Sequence, residues 1–263
     1  MRRQSRASRP TPTASNSPKV YAEPTHHALD KTLIEGLDAG ESPPTLRIWY
    51  REAPSVPFGR FQAYSDEVAV EYARDNDVEV VRRITSGGAM YTEPGSVITY
   101  SLYLPRAAVS DDIEESYAEL DRWAVDALQD VGLDAAHEPL NDIVHPEGKI
   151  GGSAQLRTGD AVLHHATMSY DLDLAEMLRV LRIGEEKVSD KAVKSAEQRV
   201  ARIADHIDHS RGAVIDALIE RARETYGGHD GSLTDAELAR ARELVDEQFA
   251  TEAWNRKIDV EAE

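Results

Sequence analysis

The chain has 263 residues, no cysteine, 41% hydrophobic content and a net charge of −18, with 48 acidic residues against 30 Lys and Arg. That length admits one large domain, or one domain with an appendage. The missing thiols exclude disulfides, thiolate metal sites and thiolate nucleophiles, and the acidity makes nucleic acid an unfit partner for the body of the domain.

No run reaches the roughly 18 apolar residues of a membrane span, and no apolar signal core opens the chain, so a soluble cytoplasmic protein with no membrane partner is expected. Only seven of the 30 basic residues are Lys. An acidic, Lys-poor surface suits a high-salt cytoplasm, where self-repulsion is screened within a few ångströms, and predicts a halophilic source. A genome that prefers Arg codons is the alternative reading.

Residues 1–22 open with Ser, Thr, Pro and Arg, carry few apolar groups and hold no acidic residue before position 23. Such a segment cannot offset its ordering entropy and is expected to be a disordered basic tail. His26 to Leu37 predicts a first helix, and Leu46-Arg47-Ile48-Trp49-Tyr50 a strand. Pro54, Pro57 and Gly59 punctuate a loop, Ser65 or Asp66 caps a short helix to Ala73, and Val78 to Val81 forms the next strand.

Val97 to Tyr103 alternates with β-branched and aromatic residues and is expected to pair with that strand across the intervening glycines. A long amphipathic helix follows from Asp111 to Val131, stopped by Gly132. Two strands flank Gly148–Gly152 and end near Met168. Beyond them helices are expected from Asp171 to Leu181 and over about 189–200, 211–226 and 234–249, each with a Ser, Asp or Thr at its start. The chain reads as α+β: a mixed β-sheet core with flanking helices over 23–185, then a helical C-terminal section over 186–263.

Three segments carry chemistry. In Arg82-Arg83-Ile84-Thr85-Ser86-Gly87-Gly88-Ala89-Met90-Tyr91, glycines let a ligand approach backbone N–H groups while an arginine neutralises a phosphate or carboxylate; a plain turn with positive φ is the alternative. In Gly148-Lys149-Ile150-Gly151-Gly152-Ser153-Ala154-Gln155, a lysine stands beside a second glycine pair in a chain that otherwise prefers Arg, which suggests that a compact ammonium is wanted there. Asn141-Asp142 places an amide and a carboxylate in apolar surroundings. His164-His165 lie on a strand, so their side chains diverge, and one inside with one outside is expected.

In this order, these segments resemble the lipoate-protein ligase A family, from about His26 to the closing Phe249-Ala250-Thr251-Glu252-Ala253-Trp254-Asn255, which is similar to the end of the short archaeal catalytic subunits. The resemblance implies a class II biotin/lipoyl ligase-like fold. It implies activation of lipoate with ATP and Mg²⁺ to lipoyl-adenylate, and transfer to a lysine of a lipoyl carrier domain: a 2-oxoacid dehydrogenase E2 or the H protein of glycine cleavage. A separate small accessory subunit is a further implied partner.

On the matching positions, Lys149 would be catalytic and bridge the acyl carbonyl and the phosphate. Arg82 or Arg83 would approach the adenylate or the tail. Ser86, Gly87, Gly88 and Ala89 would wall the bound ligand, together with Gly151 and Ser153. Asn141 and Asp142 would face the nucleotide and Mg²⁺, and His165 or His164 would help close the tail pocket. Ser86 stands where the family has a first glycine and Thr92 where it has a histidine. These departures leave a second reading, a non-catalytic or altered-substrate paralogue that binds an acyl-adenylate or a carrier. Octanoyl or lipoyl transfer through a thioester is excluded by the missing cysteine, and the arginine and glycine order does not match the loop of biotin ligases.

Overall fold

The computed structural model describes residues 13–15, 19–182 and 199–259. Most of the tail expected over 1–22, the boundary expected at 185/186 and nearly all of the helix expected over 189–200 lie outside these residues. Within that tail, β1 (Thr13–Ser15) forms a short edge strand, and Val20–Tyr21 forms β2. Helix α1 (Glu23–Asp38) starts three residues before His26, because Pro24 occupies its first turn, where a missing N–H costs nothing.

The main sheet has eight strands among the described residues, in the order β12-β1-β3-β7-β11-β10-β9-β8. Its centre is β3 (Thr45–Ile48), β7 (Val97–Pro105), β11 (Ala161–Ser169) and β10 (Gly148–Thr158), each antiparallel to the next. Strands β9 (Asp142–His145) and β8 (Ala136–Glu138) extend one side. On the other, β1 runs parallel to both β3 and β12 (His229–Gly231), so the sheet is mixed.

Strand β7 is buried on both faces from Val97 to Leu104. Ile98, Tyr100, Leu102 and Leu104 pack under α4 (Ile113–Asp130) and α6 (Arg211–Tyr226), against Trp123, Leu128 and Leu218. On the opposite face Tyr103, with Leu163 of β11, meets Leu29, Leu33 and Ile34 of α1, and α7 (Asp235–Leu244) closes that layer with Leu244. Each such aliphatic side chain contributes about 1.5–3 kcal/mol of burial. The polar alternates of β7, Thr99 and Ser101, are therefore interior positions that need partners.

The caps follow the sequence. Asp112 accepts from Glu115 N at 2.9 Å to start α4, and Thr234 with Glu237 forms a capping box for α7. The helices of the C-terminal section lie on both faces of the sheet and β12 joins it, so that section is built into the core.

Three local expectations are corrected. The helix expected from Ser65 to Ala73 is two, α2 (Tyr64–Glu67) and α3 (Val70–Asp75), because buried Val68 turns extended to bridge Leu181. Strand β6 (Glu79–Arg82) pairs in parallel with β5 (Ser55–Phe58), not with β7, which already has β3 and β11 as neighbours. Arg199 and Val200 are not the end of a helix: Lys149 N donates to Arg199 O and Ala201 N to Lys149 O, each at 2.9 Å, so this stretch runs strand-like along Lys149.

Candidate active site

The side chains of Ala154, His165, Thr167, Thr99 and Trp49 alternate onto the α1 side of the sheet, where with the bare backbone of Gly152 they floor a pocket of about 290 Å³. Its mouth is set by the β9–β10 hairpin. A bulge between Lys149 and Gly151 shifts the register and frees the Lys149 side chain from the ladder. Its Nζ lies 2.7 Å from Asp142 Oδ1 with 48% of the side chain exposed, an ammonium anchored at one end of the pocket and open to a ligand. A Cβ added at Gly152 would stand 3.3 Å from that Nζ, so any side chain there would push the lysine end aside by a few tenths of an ångström.

Asn141 holds the hairpin rather than reaching into the pocket with its amide. Its Nδ2 donates to Ser153 O at 2.6 Å and Ser153 N donates to Asn141 O at 2.9 Å. Ser153 lines the pocket through its backbone alone, since its hydroxyl points through the sheet and donates to Asp121 Oδ2 at 2.8 Å.

The roof is the glycine loop, folded by one arginine. Arg83 donates to Ser86 O at 2.8 and 3.1 Å, to Gly88 O at 2.9 Å and to Pro57 O at 3.3 Å. Gly87 sits at φ +100°, and a Cβ there would stand 2.7 Å from Arg83 Nη2, so a side chain would break the curl. Burial pushes the Arg83 guanidinium down to about 10, which leaves it cationic at neutral pH. Among the described residues it has no carboxylate within ion-pair distance, so a buried positive charge on the pocket lining is compensated by carbonyl dipoles and the more distant Glu23. An anion in the pocket is its natural complement.

Arg82 is corrected by the structure. Successive strand residues face opposite ways, and Arg82 is fully buried and absent from the lining. Its guanidinium donates to the carbonyls of Trp254, Gly59, Arg60, Gln62, Asn255 and Ile258 at 2.6–3.4 Å. It therefore joins residues 59–62 to residues 254–258. Ser86 is corrected too: it is exposed and enters the site only as a carbonyl that Arg83 holds.

Both histidines of the pair are buried, because helices cover both faces of the sheet. His164 pairs with Asp121 Oδ1 at 2.8 Å on the α4 side. His165, on the pocket side, donates from Nδ1 to Asp30 Oδ2 at 3.0 Å and accepts at Nε2 from the Thr85 hydroxyl at 2.9 Å, an assignment that follows from Asp30 being an acceptor. Burial lowers the His165 imidazole below its usual value against the pull of Asp30, and the neutral ring that results presents its faces rather than a free nitrogen.

The floor residues that sequence reasoning missed are His27, Trp49, Arg51 and, behind His165, Asp30. Asp30 accepts from Arg47, Tyr103 and Ser101 as well as His165. Burial alone would raise its carboxyl, but His165 and Arg47 outweigh that and hold it ionised. Glu23 likewise accepts from Arg51 at 2.7 Å, Ser55 at 2.9 Å and His27 at 3.1 Å. Thr92 belongs to this second cluster: its hydroxyl lies 2.8 Å from that of Ser55, fully buried, and it does not line the pocket. The one available signal was the spacing of Trp49 and Arg51, two apart on one face of a strand.

Leu172, Met177 and Leu181 complete an apolar side wall. A larger cavity of about 770 Å³ lies beyond Trp49, lined by His26, Arg47 and helix residues of α6, but neither the glycine loop nor Lys149 reaches it. The smaller pocket therefore holds the chemistry: an ammonium and a carboxylate at the mouth, a lone guanidinium in the roof, and a narrow partly apolar interior.

The model of the lipoyl protein ligase A/B catalytic domain matches residues 24–223. Lipoate-protein ligase A subunit 1 of Thermoplasma acidophilum is 34% identical over 240 residues, covering 87% of this chain and 90% of that protein. A solved structure of an archaeal lipoylation system from the same organism, described as a bi-partite lipoate protein ligase and its E2 lipoyl domain, superposes with a TM-score of 0.84 at 31% identity over 95% of this chain and 99% of that one. A lipoate-protein ligase A bound with ATP superposes with a TM-score of 0.79 at 29% identity, over 94% of this chain and 98% of that one.

Proposed function

We propose that this chain, which belongs to the lipoyl protein ligase A/B catalytic-domain family, activates lipoate with ATP in the pocket beneath Gly87–Ala89 and passes the lipoyl group to a carrier lysine. The observation that carries the reading is Lys149 at the mouth of that pocket, 2.7 Å from Asp142, with the unpaired Arg83 cation in its roof.

The reaction brings a carboxylate to the α-phosphorus of ATP, so two anions must meet, and fixed cations lower that barrier by positioning and charge neutralisation. Lys149 is placed to leave Asp142 and bridge the acyl carboxylate and the phosphate. Arg83 stabilises the negative charge beneath the loop while its carbonyl contacts keep the loop curled. The roof holds Gly87 and Gly88 beside the lining, where backbone groups meet the ligand without an intervening side chain. Trp49, Leu172, Met177 and Leu181 fit an apolar acyl tail, with the neutral His165 ring closing the floor.

Asp142 is a hard oxygen donor at the phosphate end, and among the described residues no three His, Asp or Glu side chains group into a metal site. One carboxylate with phosphate oxygens and water fits Mg²⁺, which when bound neutralises phosphate charge. In the second half-reaction the carrier lysine attacks the acyl carbonyl and AMP leaves, so Lys149 stabilises the departing phosphate.

The E2 lipoyl domain named with the archaeal neighbour supports such a domain as acceptor, with the glycine cleavage H protein as a second carrier, and the word bi-partite supports an accessory subunit. A cytoplasmic, high-salt and archaeal setting is consistent with the net charge of −18 and the seven lysines; no helix among the described residues is long and apolar enough to cross a membrane. The non-catalytic paralogue rests on Ser86 and Thr92, and neither puts a side chain on the lining.

The test is the intact mass of a lipoyl carrier domain after incubation with this protein, MgATP and lipoate in KCl, with and without an accessory subunit. A lipoyl increment that needs ATP and Lys149 is expected. No increment under any of these conditions, from folded protein, would overturn the reading.

A further inference from the structure

A basic and apolar patch lies beside the pocket roof, in a chain whose acidic residues outnumber its basic ones 48 to 30. Several exposed arginines elsewhere are paired, among them Arg106 with Asp111, Arg179 with Glu176 and Arg240 with Glu243. Arg60 and Lys257 have no carboxylate partner among the described residues. The Lys257 ammonium stands 3.6 Å from the Trp254 ring centroid and the Arg60 guanidinium 5.7 Å from that of Phe61. Burial lowers the Lys257 ammonium, and Arg60 and Arg82 lower it further; the nearby carboxylate, Asp259, is taken up by Arg256 at 3.0 Å.

Between the charges, Phe61 is 72% exposed and Ile258 37%. These groups come from segments far apart in sequence, held together by the Arg82 guanidinium, which donates to the carbonyls of Gly59, Arg60 and Gln62 on one side and Asn255 and Ile258 on the other. The patch also touches the site. Gly59 is backed so closely onto the glycine loop that a Cβ there would stand 1.9 Å from Gly87 O.

A protein that presents a lysine to the pocket mouth must lay its surrounding surface on the rim. A cationic patch behind the roof loop, with an exposed aromatic between its charges, suits a partner that carries carboxylates around its acceptor lysine, because opposite charge steers the approach and the desolvated aromatic holds the contact. We propose that Arg60, Phe61, Lys257 and Ile258 form the docking surface for the acceptor protein, an acidic lipoyl carrier domain. This rests on the ligase reading above.

The experiment uses the full chain, an E2 lipoyl domain with an acidic face, and the variants Arg60→Glu with Lys257→Glu and, separately, Phe61→Ala, at a KCl concentration where circular dichroism shows all of them folded. Three quantities are measured: the KM for the carrier, carrier binding in the absence of ATP, and lipoate-dependent exchange of pyrophosphate into ATP without carrier. The expected result is a 10- to 100-fold rise in carrier KM and Kd for the charge reversal, a smaller rise for Phe61→Ala, and exchange within twofold of wild type. Acid-to-lysine reversal on the carrier should recover part of the loss. A carrier KM and Kd within twofold of wild type would overturn the proposal, as would lost exchange with carrier binding unchanged, which would assign the patch to another partner. If wild type supports no exchange with or without an accessory subunit, yet binds the carrier through these residues, the ligase reading fails and the docking surface stands.

Discussion

Lys149 Nζ and Asp142 Oδ1 stand 2.7 Å apart across the β9–β10 hairpin, so the pocket's one exposed ammonium is held by the carboxylate best placed to meet a metal-bound phosphate. The pair is solvent-accessible and contributes little to folding. Its role lies in presenting the lysine. Lys149→Ala should lower the rate of adenylate formation by about 10²–10³-fold, the scale of losing one preorganised charge donor, with the denaturation midpoint unchanged. Asp142→Asn should reduce the rate less and raise the KM for MgATP, because an amide neither orients the ammonium as well nor binds Mg²⁺ as strongly. Pyrophosphate exchange at varied MgATP checks both.

The two adjacent arginines should separate stability from binding. Arg82→Met leaves several buried carbonyls without a donor, and a cost of at least ~3 kcal/mol in chemical denaturation is expected. Arg83→Met removes an unpaired buried cation and frees fewer carbonyls, those of Ser86, Gly88 and Pro57. It should cost less stability than Arg82→Met but raise the KM for lipoate or ATP by about tenfold or more, in line with a charge-assisted contact. The reverse ranking would contradict the assignment of Arg83 to the ligand.

Gly87→Ala places a Cβ against Arg83 Nη2 at a φ of +100°, so strain of roughly 1–2 kcal/mol and an opened roof should appear together. Reduced exchange activity with an unchanged far-ultraviolet spectrum is the expected pair of readings.

Acid should weaken the fold before any carboxylate titrates. His26 and His165 are both held below the usual imidazole range, chiefly by burial, so the unfolded chain takes up their protons first as pH falls. Their contribution is complete above the unfolded value of about 6.5 and is lost as pH drops toward the folded values. Between pH 7.5 and 5.5 each should remove about 1 kcal/mol from the unfolding free energy, and His165→Gln should shrink that fall by its share. Glu23 and Asp30, whose folded values also lie below those of free carboxylates, should steepen the loss below about pH 4.5.

The sequence made much of this site legible and left its depth hidden. Lys149, Asn141, Gly151 and Gly87–Ala89 could be picked out because lysine and glycines beside strands are local signals, and the structure brings them to one pocket. Strand alternation alone says that Arg82 and Arg83 diverge. Which one faces the ligand depends on β6 pairing with β5, a parallel contact that no turn announces. Asp30, Trp49 and Arg51 escaped notice because α1 and the sheet assemble their network from segments far apart in sequence. The break at Val68 was equally hidden, since its cause is a bridge to Leu181.

The Arg82 clamp has a further meaning at the ribosome. Its backbone and guanidinium bond Trp254 and Asn255, which lie 172 and 173 positions later. At roughly 5–20 residues per second, the strand that carries it emerges about 9 to 34 s before its partners exist. Until then that cation has only the carbonyls of Gly59, Arg60 and Gln62 to bond, and half of its clamp is missing. A nascent chain stopped short of Trp254 should expose that strand to chaperones and proteases, while one that reaches Ile258 gains pocket roof and rim in a single late step.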